Sequence, residues 1–95
     1  MSTKQAYQQK IQAQLDEWSA EIDKLRAKAD KADAEAEIAL NREVDNLRDK
    51  KNQAREKLDE LSSAGEGAWE DLKTGVDAAS TQLGQALRSA QSRFN

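Results

Sequence analysis

Cysteine, histidine and proline are absent from this chain, glycine occurs four times, and aromatic residues make up only 4% of it. Each absence removes a class of chemistry. Without His or Cys there is no imidazole titrating near neutral pH, no thiolate nucleophile, and none of the usual ligand sets for zinc, haem or iron–sulfur clusters. A di-iron bundle built on Glu-x-x-His is excluded for the same reason. No Ser lies in a Gly-x-Ser-x-Gly elbow, and no Gly-rich loop leads into a Lys that could cradle phosphate. The residues therefore point away from an enzyme and imply no cofactor, metal or small-molecule substrate. No apolar run approaches the ~20 residues that span a bilayer. The first ten residues lack the apolar segment of a secretory signal, so a cytoplasmic protein is expected.

What is present is charged and helix-forming. The 95 residues carry 15 basic and 18 acidic side chains that nearly cancel to −3. Lys24, Arg26, Lys28 and Lys31 are interleaved with Asp23 and Asp30, a mixed surface rather than a phosphate-binding stripe, so nucleic acid is not an expected partner. Of the hydrophobic residues 16 are Ala, which leaves 19 larger ones. Ordering the chain costs roughly 1.5 kcal/mol per residue, and so few large side chains can hardly offset that within one copy. A single domain that completes its core by self-association is expected.

The chain divides by composition. Residues 1–61 hold 12 basic and 14 acidic side chains and no Gly, whereas residues 62–95 hold all four Gly and few charges. Ser2-x-x-Gln5 has capping-box spacing, and no breaker follows before Gly65, so one long helix over 3–61 is predicted. Its apolar stripe steps by three or four through Tyr7, Ile11, Leu15, Trp18, Ile22, Leu25, Ala29, Ala32, Ala36, Leu40, Val44 and Leu47, resuming at Ala54, Leu58 and Leu61. The steps from Ala29 to Val44 form a stutter that relaxes a left-handed supercoil. Ile11, Leu15, Trp18, Ile22, Leu25, Leu40, Val44, Leu47, Leu58 and Leu61 are the candidate oligomer interface, with Trp18 as a core anchor.

Ser62 to Gly67 reads as a hinge through Gly65 and Gly67, with Ser63-x-x-Glu66 again at capping-box spacing. A second amphipathic helix is predicted over 68–94. Trp69, Leu72, Val76, Ala79, Leu83, Leu87, Ala90 and Phe94 form its apolar face; Thr74, Ser80, Thr81, Gly84, Ser89 and Ser92 form a polar face with little charge. The fold expected is all-α: a long helix with a shorter C-terminal one, a helical hairpin that assembles into an elongated coiled-coil or bundle oligomer. The eight-residue step from Leu61 to Trp69 also keeps the stripe in phase, so a helix continuous through the glycines is the alternative.

Two strings carry a resemblance. They are Ala13-Gln14-Leu15-Asp16-Glu17-Trp18-Ser19-Ala20-Glu21-Ile22-Asp23-Lys24-Leu25-Arg26-Ala27-Lys28-Ala29 and Ala68-Trp69-Glu70-Asp71-Leu72-Lys73-Thr74-Gly75-Val76. With Leu58-Asp59-Glu60-Leu61 and the Ser92-Arg93-Phe94 end, the chain resembles a family of small coiled-coil stress-response proteins of cyanobacteria and proteobacteria. The resemblance implies a non-enzymatic bacterial cytoplasmic protein linked to stress. The function expected is a structural or interaction protein whose partner is itself. The alternatives are a peripheral membrane binder, using Trp69, Leu72, Val76, Leu83, Leu87 and Phe94 against a lipid surface, and a filament built by head-to-tail overlap.

Overall fold

The computed structural model describes residues 2–94. They form three helices in an up-down-up bundle: α1 (Thr3–Asp30), α2 (Ala34–Ser63) and α3 (Trp69–Phe94). The bundle measures 51 × 19 × 18 Å.

Helix α1 starts where its cap is written. The Gln5 backbone N–H donates to Ser2 Oγ, and the Ser2 N–H donates to Gln5 Oε1, both at 3.1 Å. The helix does not continue to residue 61. It ends at Asp30, and the chain reverses over Lys31, Ala32 and Asp33, which corrects the long helix expected from the unbroken pattern. The reversal uses local hydrogen bonds rather than glycine or proline. Lys31 N–H bonds back to the Lys28 and Ala29 carbonyls, and the Asp33 carboxylate accepts from Ala36 N–H at 3.0 Å. Glu35 and Glu37 follow in the first turn of α2, where the helix dipole favours acidic side chains.

Magnitudes explain why the turn wins within one chain. Breaking the helix forfeits a few backbone hydrogen bonds worth roughly 1 kcal/mol each. Folding back buries nine large apolar side chains of α1 and α2, each worth about 1.5–3 kcal/mol. The residues expected at an intersubunit interface are therefore core: Ile11, Leu15, Ile22, Leu25, Leu40, Val44, Leu47, Leu58 and Leu61 are all at most 4% exposed. One chain buries these large stripe residues by itself, contrary to the expectation that a second copy must supply the cover, while Tyr7, Trp18, Ala32 and Ala36 are half-buried.

Helix α2 ends at Ser63, so Ser63 closes α2 rather than capping α3. Ala64 N–H bonds to the Leu61 carbonyl at 3.1 Å, and Ala68 N–H to the Gly65 carbonyl at 3.0 Å. Gly65 and Gly67 lie in this connection, with open space about both and neither at positive φ. The Lys4 ammonium reaches across to the Ser62 and Ala64 carbonyls, which satisfies oxygens left over at the end of α2.

Helix α3 begins one residue after the predicted start. Its packing against α2 is the fullest in the bundle, and α1 against α3 is the thinnest. Gly75 sits mid-helix with only the Lys57 side chain 3.8 Å from where a methyl would lie. Gly75→Ala is thus expected to raise stability by about 1 kcal/mol, the helix-propensity difference. Urea denaturation checks this, and an unchanged or lowered midpoint would contradict the open site.

Candidate functional site

Because α1 and α3 pack thinly, a trench of about 480 Å³ opens between them. The trench is framed by Lys10 and Arg88, Trp18 lies along it, and Asp77, Ser80 and Thr81 face it from α3. Trp18, expected as a core anchor, is only half-buried. Its ring lies against Gly84, where a built Cβ would come within 3.0 Å of indole Cζ2. The spacing predicts Gly84 and Ser80 on the polar face of α3, but both are buried. Each is four residues from the next along the line Val76–Ser80–Gly84, which borders the apolar face. Gly84 is small because the indole occupies the space a side chain would take. Ser80 Oγ is buried with no hydrogen-bond partner.

A polar cluster closes one end of the trench. The Tyr7 hydroxyl donates to Asp77 Oδ1 and lies 3.4 Å from the Lys73 carbonyl. The Tyr7 ring is 6.2 Å from that of Trp69, with Lys73 Nζ 5.3 Å from its centroid. Burial, then the hydrogen bond to Asp77, then the charge of Asp77 raise the phenol pKa well above 10.0. The folded pKa thus exceeds the unfolded one, so the contribution is complete below pH 10 and is lost as pH rises through the folded value. Tyr7→Phe is expected to remove this slope: above pH 10 wild type should lose stability more steeply than the variant. Parallel alkaline denaturation curves would contradict the Tyr7–Asp77 coupling.

At the other end Gln91 Nε2 donates to Glu21 Oε2 at 3.0 Å, and Arg93 pairs with Glu43 at 3.6 Å. The two ion pairs, Arg93–Glu43 and Arg48–Asp23 at 3.5 Å, are surface contacts worth about 0–1 kcal/mol each. A second trench of about 580 Å³ lies between α1 and α2, lined by Gln5, Gln8, Gln9, Gln12, Asp16 and Asp59. Both trenches offer hydrogen-bonding groups.

The face proposed for lipid is occupied. Trp69, Val76, Leu83 and Leu87 are buried in the core, and Leu72 and Phe94 are half-buried against it. The sequence reading missed Tyr7 with Asp77, and Trp18 with Gly84. The 66- and 70-residue separations of these pairs appear only once α1 and α3 are known to be parallel neighbours. Among the described residues, no group of His, Cys, Asp or Glu is placed to hold a metal ion, and no helix is long and apolar enough to cross a membrane. No family model, curated protein or solved structure matches the chain.

Proposed function

We propose that this protein is a non-enzymatic helical interaction protein whose principal partner is a second copy of itself, acting in the bacterial cytoplasm in the stress setting its resemblance implies. The continuity of the apolar stripe carries this reading. The steps of three and four run from Leu25 through Ala29, Ala32 and Ala36 to Leu40, straight across the turn that separates α1 from α2. Two helices joined by a turn set their facing independently, so a closed bundle gains nothing from phase kept across that turn. A chain that also uses α1 and α2 as one coiled-coil helix does gain from it.

The membrane reading has one observation in its favour, the nearly uncharged polar face of α3 around Thr74, Thr81, Ser89 and Ser92. It requires α3 to leave the core, since Val76 and Leu83 are fully buried. Light scattering over a concentration series, with and without neutral, highly curved vesicles, separates the readings. The expected result is a mass that rises with concentration from 10.6 kDa toward a closed oligomer. Trp69 emission, read in a Trp18→Phe background, should stay unchanged by vesicles. A constant single-chain mass would overturn self-association, a blue shift on vesicles would favour the membrane reading, and growth without limit would indicate a filament.

A further inference from the structure

We infer that the second copy enters by exchange of α1: the Lys31–Asp33 turn straightens, α1 and α2 become one helix, and each chain packs its α1 onto the α2–α3 pair of the other. This deepens the self-association reading and rests on it. Four features of the turn and its surroundings converge on this exchange.

The first is the backbone. Lys31 is already helical in region at φ −103°, ψ −2°, and Asp33 has a near-helical φ of −68° with an extended ψ of 169°. At Asp33 it is the ψ rotation that separates the turn from a helix. The second is residue type. Lys, Ala and Asp all occur inside helices, Ala being the best helix former, and no Gly or Pro fixes the bend. Straightening exchanges the short-range bonds of Lys31, Ala32 and the Asp33 cap for ordinary i→i−4 bonds.

The third is the packing near the turn. The stripe there consists of Ala29, Ala32 and Ala36, so opening that end uncovers little apolar area. The large residues lie farther away, and in the exchanged form they meet the same partners on the other chain. The fourth is which helix is free to leave. Helix α3 packs most fully on α2 and thinly on α1, so α2 and α3 stay together while α1 departs.

The geometry closes. Since α1 and α2 run antiparallel in the bundle, the two straightened helices of a pair must also run antiparallel. Each α1 then lies on the other chain's α2, an isologous two-fold arrangement with no surface left over for a third copy. The straightened helix covers Thr3–Ser63, 61 residues, and is about 90 Å long against the 51 Å of the closed bundle.

The absence of native Cys allows a clean test. Ala13→Cys and Asp59→Cys place spin labels at two exposed positions that line the same α1–α2 trench. Labelled chains diluted into unlabelled ones report only the distance within a chain. In the closed bundle it is the width of that trench; in the exchanged dimer the labels lie 46 residues apart on one helix, roughly 70 Å. Asp33→Ala removes the cap that holds the turn in both chains of a pair. It is expected to tighten dimerisation by on the order of 30-fold, about fivefold for each cap. Lys31→Gly with Ala32→Gly weakens the straight helix and is expected to push the equilibrium toward single chains by at least as much. A dimer that gains the long distance, more so in Asp33→Ala and less in the glycine variant, supports the exchange. A dimer that keeps the short distance overturns it and leaves self-association through the outer surface. Single chains in all three proteins would overturn both readings.

Discussion

Replacing Leu83 by Ala is expected to cost about 2–5 kcal/mol, the usual range for truncating a buried Leu with incomplete collapse of the space left behind. Leu83 is fully buried on the helix that packs most closely on α2, so every atom removed loses contact. A domain of this size has about 5–15 kcal/mol of total stability, so the loss is a large fraction of the whole. Two controls fix the interpretation. Ile38→Ala, at a side chain 57% exposed, should change stability by no more than about 0.5 kcal/mol. Leu72→Ala, half-buried against the core, should fall between the two. Urea denaturation of the three variants gives the ranking, and a Leu83→Ala midpoint equal to that of Ile38→Ala would mean that α3 is not packed as described.

The second large effect is expected at Gly84. A leucine there cannot coexist with Trp18 in its present position, because even the first carbon meets the indole at 3.0 and 3.2 Å. Overpacking of this kind costs about 1–3 kcal/mol. Part of that is recovered by moving Trp18 out into the trench, where the ring already has one open side. Gly84→Leu should therefore lower stability by about 2 kcal/mol and shift Trp18 emission to the red, read in a Trp69→Phe background. Gly84→Ala should be close to neutral. It gains about 1 kcal/mol of helix propensity and loses a similar amount by displacing the indole a few tenths of an ångström. Adding Trp18→Ala to Gly84→Leu should restore part of the stability that Gly84→Leu removes, because the new side chain fills the vacated space. A double-mutant cycle measures this coupling. Additive losses would show that the two residues do not share that space.

Much of the architecture was legible in local chemistry. The Ser2–Gln5 box placed the first helix start. The cluster of small residues around Gly65 and Gly67 placed the second connection, and the spacing from Trp69 to Phe94 placed α3 almost to the residue. These features are carried by neighbours three or four positions apart, which a sequence displays directly. The turn at Lys31–Asp33 was not legible in the same way. Its signals are an Asp cap followed by Glu35 and Glu37, and such residues also populate the solvent face of any charged helix. Nothing local forbids helix there. The bend is chosen by burial of Ile11 to Leu25 against Leu40 to Leu61, an interaction between residues tens of positions apart.

The same division explains the site. The sequence by itself determined that the protein is helical, that its stripe is continuous and that its surface carries both signs of charge. It also determined that the chemistry of His and Cys is out of reach. Only the tertiary structure decided that the stripe closes on itself within one chain, that Trp18 stands over Gly84, and that Tyr7 pairs with Asp77 while Ser80 Oγ is left buried without a partner. The first depends on α1 folding back along α2, and the others on α1 and α3 lying parallel side by side. That adjacency is set by two chain reversals in succession, and the first of them is held by no residue that a sequence marks as a break.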